Sequence, residues 1–247
     1  MLHDMFNDHL LQSFIETFYG YGDYHGRYWF VGMEEGGGTS YEGISGRLTA
    51  WEVRGKHELE DLAGYHSQLG VTKYLGEQAR SQPTWNKLIR ILLSINGDTP
   101  TLQGVKSYQR TQLGRWGANH CLIELLPLPS PSIGKWLYGQ HSDLSFLTTR
   151  QTYMEHCAEP RARHIKARIE ERKPSAVIFY SFHGWYRQWW KLIAGVEFAP
   201  ITIGTDVCYI GSNNQTVFAI VKHPVTKGIT RDYFHQVGRE VARLSEK

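Results

Sequence analysis

The sequence predicts an α/β protein: a three-layer α/β/α domain with a central four-stranded parallel sheet and an irregular insertion after the first strand. Three observations carry this expectation. Four short apolar runs, YWFV (28–31), CLIELL (121–126), AVIFY (176–180) and VFAIV (217–221), show little of the polar alternation of a half-wetted strand. Near-continuous apolar strands are those covered on both faces, the condition of a parallel sheet. Helical patterns stand between the later runs, as parallel crossovers require. The chain of 247 residues, with 41% hydrophobic and 13% aromatic content, can bury a full core, and no linker divides it. A single domain over 1–247 follows, with the insertion at about 40–115.

In chain order, Leu2, Phe6, Leu10, Phe14 and Phe18 recur every fourth residue, the stripe of an amphipathic helix, which Gly20 and Gly22 end. The first strand, at 28–31, runs into GMEEGGG, two carboxylates among glycines that let the backbone turn sharply. Residues 40–115 are polar, rich in Gly and Tyr, and lack a second buried strand. Thr84 is placed to cap a helix through Trp85, Leu88, Ile89, Leu92 and Leu93, ended by Asn96-Gly97-Asp98. The rest reads as loops and short helices, and long excursions of this kind are often functional.

The second strand leaves through PLPSPS (127–132), whose prolines impose an extended, stiff loop. Residues 148–173 are helical, with a break or restart near Glu159 imposed by Pro160. After the third strand, residues 183–194 form a helix with Trp185, Trp189, Leu192 and Ile193 on or near one face. An extended segment lies within 198–210, Asn213-Asn214 marks a turn, and a closing helix covers 231–244 after the fourth strand.

Composition excludes several classes. No apolar run approaches the roughly 18 residues that span a bilayer, and the N-terminus is polar and acidic, without a signal-peptide pattern. Cys121, Cys157 and Cys208 are far apart and form no C-x-x-C pair, which argues against a disulfide framework or a cysteine zinc site and suits a reducing cytoplasm. A cytoplasmic monomer with no cofactor, no metal and no membrane contact is expected. The net charge of +3 is compatible with nucleic acid without arguing for it.

Polar residues follow three of the strands: Glu34 and Glu35 after the first, 127–132 after the second, His223 after the fourth. In open α/β sheets the ligand lies just beyond the carboxyl ends of the strands. A carboxylate and a histidine over one sheet edge can divide the work of breaking a C–N or C–O bond. The carboxylate stabilises developing cation or orients water, and the histidine donates a hydrogen bond to the departing group. The plainer alternatives are a glycine turn with two solvated glutamates, a histidine that merely ends a strand, and a solvated basic helix face at 161–173. Trp185, Trp189 and Trp190 read as core, and His183 as a helix cap.

VGMEEGGG, ELLPLPSPS, KPSAVIFYSFHG and VFAIVKHPV, in that order, resemble the uracil-DNA glycosylase superfamily. The resemblance covers about 25–38 and 118–245 and omits the excursion between them. It implies a uracil-DNA glycosylase-like fold and a set of roles. Glu34 falls where the family orients its water, and Glu35, an alternate carboxylate, stands on the loop's usual proline. His223 matches the histidine that stabilises the leaving base. Val225 replaces a serine that grips phosphate, a role that passes to Thr226 or Lys222, with Lys227 on the same loop. Ser130 and Ser132 resemble a phosphate-gripping loop, and Ile229 is the candidate apolar wedge.

Glu124 stands near the place of an asparagine that reads uracil. An ionised carboxylate only accepts hydrogen bonds, which suits cytosine N4 and suits uracil O4 poorly. A buried ion pair is the competing role for Glu124, and Asn119 is the reader if the register is shifted. Tyr41 and Trp51 are candidates for stacking on a flipped base. The resemblance thus implies a monofunctional DNA N-glycosylase, with DNA as partner and a modified cytosine favoured over uracil, in DNA repair or defence against phage. A non-catalytic DNA- or nucleotide-binding module of the same fold is the alternative, and a hydrolase of free nucleosides a third reading.

Overall fold

The computed structural model describes residues 4–132 and 134–245. Among these residues eight strands form one mixed sheet: β1 (Gly20–Gly22), β2 (Tyr28–Glu34), β3 (Leu59–Glu60), β4 (His120–Leu126), β5 (Ala176–Phe179), β6 (Ala199–Ile203), β7 (Asp206–Ser212) and β8 (Val217–Ile220). Their spatial order is β3-β1-β4-β2-β5-β8-β7-β6. The four apolar runs are adjacent: β2 pairs in parallel with β4 and β5, and β5 with β8. Side chains of these strands are almost all buried, as their apolar sequence requires.

The sheet is eight-stranded and mixed rather than four-stranded and parallel. Antiparallel β7 and β6 extend it beyond β8, and β1, antiparallel to β4, extends the other edge. These additions leave weak sequence signals. β3 has two residues, and β1 is the tripeptide GYG that the sequence reads as a helix stop. Gly20 has φ +143°, and a Cβ there would lie 2.0 Å from the Leu122 carbonyl oxygen, so β1 can approach β4 only as glycine.

Among the described residues eight α-helices accompany the sheet: α1 (Asp8–Thr17), α2 (Tyr41–Val53), α3 (Leu62–Gln68), α4 (Pro83–Ile95), α5 (Leu102–Thr111), α6 (Arg150–Arg172), α7 (Gly184–Ala194) and α8 (Arg231–Ser245). α1 starts at Asp8, where the Asn7 side chain accepts from the Leu10 N–H at 3.0 Å; Leu2 lies outside the described residues. The insertion is helical rather than irregular. α4 buries Leu88, Ile89, Ile91 and Leu92 and packs on α8. Gly238 permits that approach, since a Cβ there would meet the Ile91 carbonyl at 2.5 Å. The cap of α4 is Gln82, whose Oε1 accepts from the Trp85 N–H at 2.6 Å, with Pro83 following, rather than Thr84.

Two further expectations are corrected. α6 runs unbroken through Pro160. The proline lies on the exposed face, where the carbonyl it leaves unpaired faces water, and the buried Cys157, Ala158, Arg161, Ala162 and Ile165 hold the helix on the core. α7 buries Tyr186, Trp190 and Ile193 rather than Trp185 and Trp189, which are half-buried. Among the described residues no helix is long and apolar enough to cross a membrane.

Candidate active site

Because β2, β4, β5 and β8 run parallel, their carboxyl ends open on the same edge of the sheet. Glu34 ends β2, Glu124 stands near the end of β4, Tyr180 follows β5, and His223 follows β8. All four line one cleft of about 410 Å³. Glu35, Tyr21, Ser130, Ser132 and Val225 share its walls, with Gln82, Thr84 and Trp85 of the insertion on another side.

Glu34 is held by Arg150, whose Nη2 donates to Oε1 at 2.5 Å. Its Oε2 is buried with no hydrogen-bond partner among the described residues, so a water or a ligand group is the partner the site still requires. Burial raises the carboxyl above its ordinary range, and Arg150 opposes that rise. Glu35 is differently engaged. Arg47 Nη1 donates to Oε2 at 2.9 Å, and the Tyr21 hydroxyl lies 3.2 and 3.1 Å from Oε1 and Oε2. Glu35 thereby ties α2 and β1 to the first strand's exit, which leaves Glu34 as the carboxylate with a free oxygen.

Glu124 faces Gly32 across the β2–β4 register. A Cβ on Gly32 would lie 2.3 Å from Glu124 Oε2 and 2.1 Å from Tyr180 Oη, so only glycine leaves room for this pair. The Tyr180 hydroxyl donates to Glu124 Oε1 at 2.6 Å, while Oε2 is buried and unpartnered among the described residues. Burial, with the Glu35 and Glu34 charges added, pushes the Glu124 carboxyl up to about 8 against the Tyr180 hydrogen bond. This favours the protonated acid near neutral pH, where the sequence reading expects an acceptor-only carboxylate. Among the described residues Glu124 forms no ion pair. Arg161 donates to the backbone oxygens of Ile15, Phe18, Leu125 and Glu124 instead. Arg161 is itself buried, an exception to the solvated basic face.

His223 is half-buried, and burial lowers its pKa, which favours the neutral ring. The Val225 N–H lies 3.4 Å from Nδ1, a long contact that makes Nδ1 the acceptor and leaves the ring proton on Nε2. The histidine is thus arranged as a neutral donor.

Several expected residues lie elsewhere. Asn119 precedes β4, at the opposite end of the sheet, and its Oδ1 accepts from the Arg27 N–H at 3.1 Å. Tyr41 donates to the Met5 carbonyl at 2.9 Å and stacks on Phe6 at 4.8 Å, so it anchors the N-terminal segment. Trp51 is fully buried against Phe14. Lys222 is ion-paired with Asp206 of β7. Ile229 packs against the core, and the exposed apolar side chain of that loop is Val225, 56% exposed. The Ser130 hydroxyl is consumed within its loop, with the Ser132 and Lys135 carbonyl oxygens at 2.9 and 3.2 Å. Ser132, Thr226 and Lys227 are exposed.

Sequence reasoning missed Tyr180, Arg150 and the α4 wall. Tyr180 closes the third apolar run, so its place at a strand end was the available signal. Trp85 reaches the cleft, and Arg150 reaches Glu34 of the cleft, only through helix packing, and neither carries a local signal. Among the described residues no group of three or more His, Cys, Asp or Glu side chains is placed to hold a metal. In comparison with known proteins, the chain matches no family model and no curated sequence.

Proposed function

We propose that the chain is a monofunctional DNA N-glycosylase that flips a non-canonical base into the cleft and hydrolyses its N-glycosidic bond. The observation that supports this reading is the convergence of Glu34, Glu124 and His223 on one cleft at the strand ends, each arriving from a different strand. An enzyme acting on a base within a duplex must extrude it, and the cost of unstacking is met inside a pocket that reads the base. Cleavage of the C1′–N bond leaves positive charge on the sugar and negative charge on the base. Glu34, whose charged form Arg150 favours, stabilises the first and orients the water that adds to C1′, the proton of that water passing to solvent. His223 donates from Nε2 to the departing base, which leaves as an anion and takes its proton from solvent, and an abasic sugar remains. Exposed Ser132, Thr226 and Lys227 would meet phosphates, and Val225 would stand in the gap of the extruded base.

The competing reading is a non-catalytic DNA- or nucleotide-binding module, favoured by the engagement of the Ser130 hydroxyl within its own loop. Base release, read by mass spectrometry, separates the two. Uracil-containing DNA, ordinary DNA and phage DNA with modified cytosines are each incubated with wild type, Glu34→Ala and His223→Ala. Release by wild type that both substitutions strongly reduce is expected. Absence of release from all three, with binding retained, would establish the module instead.

A further inference from the structure

We propose that Glu124 reads the flipped base as a neutral carboxylic acid, through a paired donor and acceptor, and that recognition is lost when it ionises. This rests on the glycosylase reading and names the base edge it would take. The geometry comes first. The Tyr180 hydroxyl donates to Oε1, which makes Oε1 the carbonyl-like oxygen and Oε2 the one that carries the acid proton. Oε2 is buried, unpartnered among the described residues, and belongs to a residue that lines the cleft. A buried donor without an acceptor is a vacancy for one specific ligand atom. Oε1 keeps a second lone pair for an N–H beside it.

Burial and the neighbouring carboxylates favour the acid form, and the Tyr180 hydrogen bond and Arg161 oppose it. Glu34 and Glu35 approach from the end of β2, and their charges oppose a third negative charge. Tyr180 from β5 donates one hydrogen bond, Tyr186 of α7 lies within electrostatic reach, and His223 beyond Tyr180 is neutral. Arg161 of α6 opposes the acid form, and four of its hydrogens are committed to backbone oxygens.

The chemical consequence concerns substrate class. A neutral carboxyl matches an edge with one acceptor next to one donor. A pyrimidine lactam (O4 with N3–H) has such an edge, and so does a cytosine-type amidine (N3 with N4–H). An ionised carboxylate meets the acceptor of either edge with repulsion. The preference for a donor-only edge, and with it the argument for cytosine from charge, therefore lapses. Discrimination between the two types passes to the other residues that line the cleft, among them Trp85 and Gln82 of the insertion.

The experiment measures single-turnover base release by wild type, Glu124→Gln and Glu124→Ala from about pH 6 to about pH 10. The substrates are uracil-containing oligonucleotides and modified-cytosine phage DNA. In parallel, the ¹³C resonance of the Glu124 carboxyl is assigned by its loss in Glu124→Gln and titrated. Glutamine carries the same donor and acceptor without a titrating proton. Wild-type release should fall about tenfold per pH unit above about 8, Glu124→Gln should stay level, and Glu124→Ala should be reduced on the order of tenfold to a hundredfold throughout. The carboxyl resonance should titrate near 8. A resonance that titrates in the ordinary carboxylate range overturns the inference, as does an alkaline fall shared by Glu124→Gln. No release by wild type at any pH overturns the glycosylase reading instead, and the carboxyl titration reports on Glu124 in either case.

Discussion

Arg150 and Glu34, 116 residues apart in sequence, are joined by a 2.5 Å ion pair, and Glu34 lines the cleft. Arg150 is the first residue of α6, where the helix dipole disfavours a cation. The position is tolerable because Glu34 supplies the compensating charge, and the benefit is reciprocal. Without Arg150, burial alone would act on Glu34 and drive its pKa higher. Arg150→Met should therefore move the acid limb of the pH–rate profile of base release to higher pH. Rates near neutrality should fall on the order of tenfold or more, with partial recovery at alkaline pH. A merely structural Arg150 would lower the rate without moving that limb.

Gly32 is the second point of leverage. A methyl group there would clash with both Glu124 Oε2 and Tyr180 Oη. Gly32→Ala should destabilise the fold by about 1–3 kcal/mol in denaturant titration. It should also disturb base recognition, since the side chains displaced are those that hold the acid in place. An unchanged midpoint would show that Glu124 and Tyr180 can move aside freely.

His120 sets a pH limit on stability. It is fully buried, accepts from the Gly114 N–H through Nε2 at 2.9 Å, and burial lowers its pKa to about 4. The folded ring stays neutral while the unfolded ring gains a proton near its ordinary 6.5. The stability this provides is complete above about 6.5 and is lost as pH falls towards 4, by roughly 3 kcal/mol in all. Thermal unfolding across that window should show the loss, and His120→Gln should flatten it.

Glu124 acts in the opposite direction. Its folded carboxyl keeps a proton that the unfolded one loses near 4.5, so the contribution is complete below 4.5 and is lost as pH rises to about 8. At pH 9, Glu124→Gln should be the more stable protein, by up to about 5 kcal/mol in denaturant titration.

Val225 and Ile229 separate DNA engagement from packing. Val225 is 56% exposed at the mouth of the cleft, whereas Ile229 packs on the core. Val225→Ala should leave the melting temperature unchanged and reduce base release from duplex DNA more than from single strands, where no partner strand must be displaced. Ile229→Ala should lower the melting temperature. The reverse pattern would return the wedge role to Ile229.

The sequence by itself determined the four buried parallel strands, because a strand covered on both faces must be apolar along its whole length. It also determined which residues end them, and so brought Glu34, Glu124 and His223 into consideration. The short strands β1 and β3 were not legible: their pairing comes from a partner strand's backbone, which leaves almost no side-chain pattern. Pro160 was misread because a local rule cannot know which face of α6 is wet. Asn119, Tyr41 and Lys222 carry suitable chemistry, but only tertiary structure decided that each spends it elsewhere. The same holds for the state of Glu124. Whether a carboxyl is charged depends on the groups packed around it, and Gly32, Tyr180, Glu34 and Glu35 come together only in the folded chain.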